Sequence, residues 1–77
     1  MKLNEDTLLS YLHETLSVSD VRVESTLFSS GLLDSVSMVN LLTFIEQAGG
    51  MVIRAEDVTL QNFDTPARIL RFVEAAA

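Results

Sequence analysis

The chain has 77 residues, with eleven acidic and five basic side chains, a net charge of −6 and no cysteine. This length suits one small domain over residues 1–77, and the five scattered bases argue against a nucleic-acid partner, which needs a clustered positive surface. The lack of cysteine excludes disulfides and thiolate metal sites. No basic stretch precedes a long apolar segment and no window holds the roughly 20 apolar residues that span a bilayer, so we expect a cytoplasmic protein without membrane insertion. The acidic surface and small size favour a monomer.

The first predicted helix begins after Asn4. An asparagine can cap the unpaired N–H groups of a first turn, and the helix dipole favours the acidic Glu5 and Asp6 that follow it. Apolar residues recur at helical spacing through this segment, at Leu8, Leu9, Tyr11, Leu12 and Leu16. We expect the helix to end near Ser17.

A long loop is predicted over residues 17–33. Serine, aspartate, threonine and glycine are mixed there with isolated apolar residues, without a sustained helical or strand period. We expect the loop to be pinned by four of these side chains, Val21, Val23, Leu27 and Phe28. Loops of this length are unusual in small domains and often have a function.

The second predicted helix begins at Asp34 or Ser35, since either side chain can accept a hydrogen bond from an unpaired backbone N–H. It should run to about Ala48, where Gly49 and Gly50 stop it. The residues expected to face the core are Met38, Leu41, Leu42 and Ile45.

This second helix is apolar well beyond one stripe. Val39 and Phe44 are explained most simply as core residues, because a central helix in a small bundle is covered by the others. Val36 lies beside Ser35, and for it we expect contact with a partner instead.

Two further helices are predicted. Ala55 to Leu60 should form a short one, with two acids in its first turn. Thr65-Pro66 should start the last, because threonine can cap and proline fits the first helical position. Its inward face is expected to hold Ile69, Phe72 and Val73, leaving Arg68 and Arg71 outside. The pattern therefore predicts an all-α fold, a four-helix bundle with three longer helices and one short helix.

An independent enzyme is not expected. A serine hydrolase needs a base and an orienting acid, but His13 is the only histidine, and Glu14 points about 100° away from it around the helix. We therefore expect His13 to be a surface or half-buried helix residue. Glycine-rich phosphate loops, paired histidines and clustered calcium-binding acids are also missing from the sequence.

The run Gly31-Leu32-Leu33-Asp34-Ser35 resembles the phosphopantetheine attachment site of acyl, peptidyl and aminoacyl carrier proteins, in which a serine directly after an aspartate receives the prosthetic arm. Further segments in the family's order are Leu27-Phe28, Glu56-Asp57-Val58 and Phe63-Asp64-Thr65-Pro66. The resemblance covers roughly residues 24–74. It implies a bundle of the acyl-carrier-protein type with 4′-phosphopantetheine on Ser35 and with Asp34 in the modification motif. Without the resemblance, helix physics alone would assign Ser35 no role beyond that of an N-terminal capping residue.

The resemblance also implies partners. A phosphopantetheinyl transferase would attach the arm with magnesium and coenzyme A, an adenylating ligase would load a cargo as a thioester, and an acyltransferase or synthase would receive it. The segments Gly31–Ser35 and Asn62–Pro66 are most similar to discrete aminoacyl or D-alanyl-type carriers. We therefore expect a role in polyketide or nonribosomal peptide biosynthesis. The alternatives are a fatty-acid or polyketide acyl carrier and an unmodified helical adaptor.

The second helix lacks the several acids that fatty-acid carriers present to basic enzymes, since Glu46 is its only acid. We expect partner contacts there to be mainly hydrophobic and hydrogen-bonded. The predicted partner-binding residues are Leu33, Val36, Val39, Asn40, Thr43 and Gln47.

Overall fold

The computed structural model describes residues 3–15 and 21–76, and all regular elements within these ranges are helices. The α-helices are α1 (Glu5–Glu14), α2 (Ser35–Gly49), α3 (Leu60–Phe63) and α4 (Pro66–Ala76), and a 3₁₀ turn (Ala55–Asp57) precedes α3. α4 packs against both α1 and α3. The all-α bundle predicted from the sequence is confirmed. Within the described part of the chain, no helix is long and apolar enough to cross a membrane.

The first helix begins where it was predicted to begin. The side chain of Asn4 accepts a hydrogen bond from the N–H of Thr7 at 2.8 Å and so caps the first turn. The described helix ends at Glu14. Leu16 and Ser17, in the predicted last turn, lie outside the described residues, as does the start of the predicted loop.

The core lies between the four helices and the loop that precedes α2. It is formed by Leu8, Leu12, Leu27, Leu33, Leu41, Ile45, Phe63, Ile69 and Val73. The predicted loop anchors Val21 and Phe28 pack against this core, and the carbonyl oxygen of Val23 accepts a hydrogen bond from the N–H of Ala67 at 2.9 Å. The described part of the loop, residues 21–33, is therefore attached to the bundle at several points.

The second helix ends at Gly49 and is capped by Gly50, whose φ of 64° lies in the left-handed region. We predict that Gly50→Ala lowers the free energy of unfolding by about 1–2 kcal/mol, because a Cβ is disfavoured at that φ. No heavy atom lies within 4 Å of the position of an added Cβ, so the cost comes from the backbone alone. Urea denaturation measures it, and Gly50→Asn, which tolerates this conformation better, is the control. Equal stability of wild type and Gly50→Ala would contradict the prediction.

The prediction of a short helix from Ala55 to Leu60 is wrong in its bounds. Only the 3₁₀ turn forms at its start, and the α-helix is Leu60–Phe63. The reason is Thr59, which is extended and accepts a hydrogen bond from the N–H of Asn62 at 3.3 Å, so that a new helix begins after it.

The explanation of Val39 as a core residue is also wrong, since its side chain is 62% exposed. The bundle covers the opposite side of α2, where Leu41 and Ile45 are fully buried. Phe44 is half-buried and stacks on Tyr11, with ring centroids 3.9 Å apart. Only one of these two residues therefore contributes to helix packing.

The last helix follows its prediction. Thr65 caps it by accepting a hydrogen bond from the N–H of Arg68 at 3.1 Å. Ile69 and Val73 are buried, and Phe72 packs against Phe63 with ring centroids 5.1 Å apart. The Arg68 and Arg71 side chains are exposed.

Candidate functional site

Ser35 is the first residue of α2, and it is exposed. The preceding residue, Asp34, has an extended backbone and caps the helix by accepting a hydrogen bond from the N–H of Ser37 at 2.9 Å. The first N–H groups of a helix have no acceptor within it, and the helix dipole is positive at this end. The Ser35 hydroxyl therefore lies where an attached anionic group would be favoured.

The Asp34 carboxylate stays ionised beside Ser35. Hydrogen bonds from the backbone N–H and the hydroxyl of Ser37 lower the pKa of Asp34 below its usual value. A carboxylate with a lowered pKa is a weak base at neutral pH, so Asp34 is suited to capping the helix rather than to removing the Ser35 proton.

The chain enters α2 through a tight loop. At its base the N–H of Leu33 donates to the carbonyl oxygen of Leu27 at 2.8 Å, and both side chains are buried. At its tip Gly31 has a φ of 78° and donates its N–H to the carbonyl oxygen of Phe28 at 3.0 Å. This closed loop fixes the direction from which the chain reaches Ser35.

Leu33 was predicted to contact partners, but it is only 6% exposed and belongs to the core. Its backbone closes the loop by bonding to Leu27, and its side chain points into the core beside that of Leu27.

Asp64, at the junction of α3 and α4, holds this loop in place. One oxygen of its carboxylate accepts hydrogen bonds from the N–H groups of Phe28, at 3.0 Å, and Ser29, at 2.9 Å. The other oxygen accepts the hydroxyl of Ser29 at 2.7 Å. The carbonyl oxygen of Asp64 also accepts the N–H of Leu27 at 2.6 Å. These bonds connect the loop before α2 to the opposite end of the sequence.

The electrostatic state of Asp64 follows from these contacts. Asp64 is only 5% exposed. Hydrogen bonds from the N–H and hydroxyl of Ser29 lower the pKa of the Asp64 carboxyl below the usual value. In the sequence, Asp64 stands out only as part of the segment Phe63-Asp64-Thr65-Pro66, and its contacts are not indicated there. The contact with Ser29 spans 35 residues, and no local pattern indicates it.

The outward face of α2 continues from Ser35. The other predicted partner residues on this helix are all exposed: Val36, Val39, Asn40, Thr43 and Gln47. None of them carries a charge. Glu46 is the one acid of α2, and its carboxylate accepts a hydrogen bond from the N–H of Ile53 at 2.7 Å. This bond connects α2 to the segment that follows it.

His13 belongs to a different part of the structure. It is exposed, as predicted, and lines a shallow cavity with Leu9, Glu14 and Val21 beside α1. Among residues 3–15 and 21–76, no group of three histidine, aspartate or glutamate side chains is placed to hold a metal ion.

Comparison with known proteins agrees with this geometry. The family model described as "Phosphopantetheine attachment site" matches residues 6–73. The chain is 33% identical over 72 residues to the D-alanyl carrier protein of Abiotrophia defectiva, which covers 91% of both chains. It is also 33% identical over 73 residues to the D-alanyl carrier protein of Enterococcus faecalis, covering 92% of this chain and 94% of that one. The cofactor predicted from the resemblance, 4′-phosphopantetheine, is confirmed. The chain belongs to the phosphopantetheine-binding carrier-protein family.

Proposed function

We propose that Ser35 is the residue that carries the phosphopantetheine arm. The observation that supports this proposal is its position: Ser35 is exposed, directly follows the helix-capping Asp34, and starts α2. Among the serines of the described chain, it and Ser37 lie in the first turn of this helix, and Ser37 is half-buried with its N–H bonded to Asp34.

The residues present fit the arm. A phosphodiester on the Ser35 oxygen would lie at the positive end of the α2 dipole, which favours an anion without a basic pocket. When bound, the arm supplies a terminal thiol that holds an acyl group as a thioester. The chain has no cysteine and therefore no thiol of its own. The chain itself holds the arm at a fixed point and presents it to other enzymes, so we propose that it is a substrate of its partners rather than a catalyst.

The proposed cargo is an amino acid or a similar small acid. An adenylating ligase would load it, and an acyltransferase or synthase would receive it, in a setting such as polyketide or nonribosomal peptide assembly. The two curated relatives are named D-alanyl carrier proteins, which supports an aminoacyl cargo and makes D-alanine the first acid to test. Because adenylation requires ATP and arm attachment requires coenzyme A, we propose that the chain works in the cytoplasm. We also propose that it is a monomer, which its small size and net negative charge favour.

The outward face of α2 supports a particular kind of partner contact. We propose that the exposed residues Val36, Val39, Asn40, Thr43 and Gln47 contact partner enzymes. Without charged side chains, such a surface offers van der Waals and hydrogen-bond contacts.

We expect the full chain to gain the mass of one phosphopantetheinyl group when it is incubated with a promiscuous phosphopantetheinyl transferase, magnesium and coenzyme A. Adenylating ligases for D-alanine, other amino acids, aryl acids and fatty acids are then added with ATP. A second mass gain with an amino acid supports the aminoacyl proposal, and loading by fatty acids alone would contradict it. Folded protein without any mass gain would contradict the carrier function and favour the unmodified adaptor.

A further inference from the structure

The fold brings three of the chain's four arginines to one side of α4. Arg68 and Arg71 line an open cavity of about 210 Å³ between α3 and α4. Arg54 lines a second open cavity, of about 390 Å³, and the two cavities share Phe72 and Ala75 as walls. We refer to the two cavities together as the arginine groove.

The end of the arginine groove between α3 and α4 is cationic. Beside the two arginines it is lined by the amides of Gln61 and Asn62, and no acid among the described residues lines it. Arg68 donates from Nη1 to the carbonyl oxygen of Leu60 at 3.2 Å, which orients its guanidinium and leaves further N–H groups for a ligand. Arg71 is exposed, and no hydrogen bond or ion pair holds its side chain within the described chain.

Helix stability does not explain this pair of charges. Arg68 lies in the first turn of α4, where the helix dipole disfavours a positive charge, and like charges three residues apart repel each other. Asp64 lies near enough to Arg68 for the guanidinium to lower the pKa of its carboxyl, but Glu74, the one acid of α4, lines a different cavity beside α1. A cleft lined by charges of one sign attracts ligands of the opposite sign.

The other end of the arginine groove, beside the segment after α2, is mainly apolar. Met51 and Val52 line it, and Val52 is 83% exposed. Its charged lining residues, Arg54 and Asp57, are opposite in sign. Arg54 pairs with Glu56 at 3.7 Å, but both side chains are exposed to solvent, so this pair contributes little and is easily exchanged for another carboxylate. The groove therefore joins a cationic end to an apolar end.

We propose that the arginine groove binds an acidic, amphipathic peptide segment of a partner protein. Carboxylates of the segment would pair with Arg68 and Arg71, because the forked donors of a guanidinium match a carboxylate. Its apolar side chains would cover Phe72, Met51 and Val52. Two cavities with shared walls suit an extended chain of several residues better than a single small anion.

This interaction is separate from the presentation of the arm. No residue that lines the arginine groove belongs to α2 or to the loop before it. A segment bound in the groove therefore does not need to contact the surface around Ser35. The inference goes beyond the proposed function and does not rest on it.

The test uses the full chain and a short fluorescein-labelled peptide rich in glutamate and leucine, with the same peptide carrying glutamine for every glutamate as the probe control. Fluorescence anisotropy should show saturable binding of the glutamate peptide alone. Arg71→Gln should raise its Kd about threefold, and the double variant Arg68→Gln, Arg71→Gln about tenfold. Arg22→Gln is the matched control, since it removes the same charge from an exposed arginine outside the groove and should leave the Kd unchanged. Arg71→Gln, which breaks no bond seen in the fold, carries the test if the double variant unfolds.

Amide chemical shifts locate the bound peptide. In ¹H–¹⁵N spectra the glutamate peptide should shift the amides of Asn62, Arg71 and Ala75 and leave those of Asn40 and Thr43 on α2 in place. Binding should weaken as salt is added, because salt screens exposed charges. No binding to the wild type, equal Kd values for Arg71→Gln and Arg22→Gln, or shifts confined to α2 would overturn the inference. It would also be overturned by phosphatidylglycerol vesicles that bind through Arg71 when the peptide does not, since the groove would then recognise an anionic lipid surface.

Discussion

Ser35→Ala is expected to abolish attachment of the phosphopantetheine arm completely while the protein stays folded. The substitution removes the oxygen that forms the phosphodiester. Ser35 is exposed and alanine is a good helix former, so the free energy of unfolding should change by no more than about 0.5 kcal/mol. Intact-protein mass spectrometry should record no mass gain, and every later loading step should fail with it.

The control for this variant is Ser37→Ala. Ser37 lies one residue beyond Val36 in the same first turn, and its backbone N–H, which bonds to Asp34, is kept in the variant. Ser37→Ala should still gain one arm. An arm on Ser35→Ala, or its loss from Ser37→Ala with the helix intact, would contradict the assignment of Ser35.

Asp64→Ala is expected to destabilise the fold by about 2–4 kcal/mol, a large share of the stability of so small a domain. The substitution removes the acceptor for the N–H groups of Phe28 and Ser29 and for the Ser29 hydroxyl, and it leaves them without this partner. Asp64→Asn is the matched control, since it keeps an acceptor oxygen at the same place and should cost about half as much. Urea denaturation of both variants measures the difference, and an Asp64→Ala midpoint equal to that of the wild type would show that the loop is held by other contacts.

The Asp64 contribution should also depend on pH in one direction. Hydrogen bonding lowers the pKa of the folded carboxyl below the unfolded value, so the ionised form stabilises the folded state. The advantage of wild type over Asp64→Asn should be complete above the ordinary aspartate pKa of about 3.9 and disappear as the pH falls through the lowered value. Urea denaturation at a series of pH values tests this. A difference that grows on acidification would contradict it.

The parts of the site that were predictable from sequence depend on local chemistry. The start of α2 follows from Asp34, which caps the N–H three residues later, and its end follows from Gly50, which tolerates a left-handed backbone. Both signals act within one helical turn. The same holds for Asn4 at α1 and for Thr65 at α4.

The parts that were not predictable depend on tertiary contacts. Asp64 reaches the loop across 35 residues, and Leu33 is buried because the loop closes around it. Val39 has the composition of a core residue but lies on the side of α2 that the other helices leave uncovered. In each case the sequence specifies the residue type, while the packing of distant elements decides which way it faces.

The most direct test of the account is to locate the arm on the modified wild-type chain. Digestion at arginine releases the peptide Val23–Arg54, which contains five serines. Fragmentation of this peptide by tandem mass spectrometry should place the whole added mass on Ser35. An arm on any other residue, or an unmodified peptide from folded protein treated with transferase and coenzyme A, would contradict the claim that the start of α2 is the attachment site.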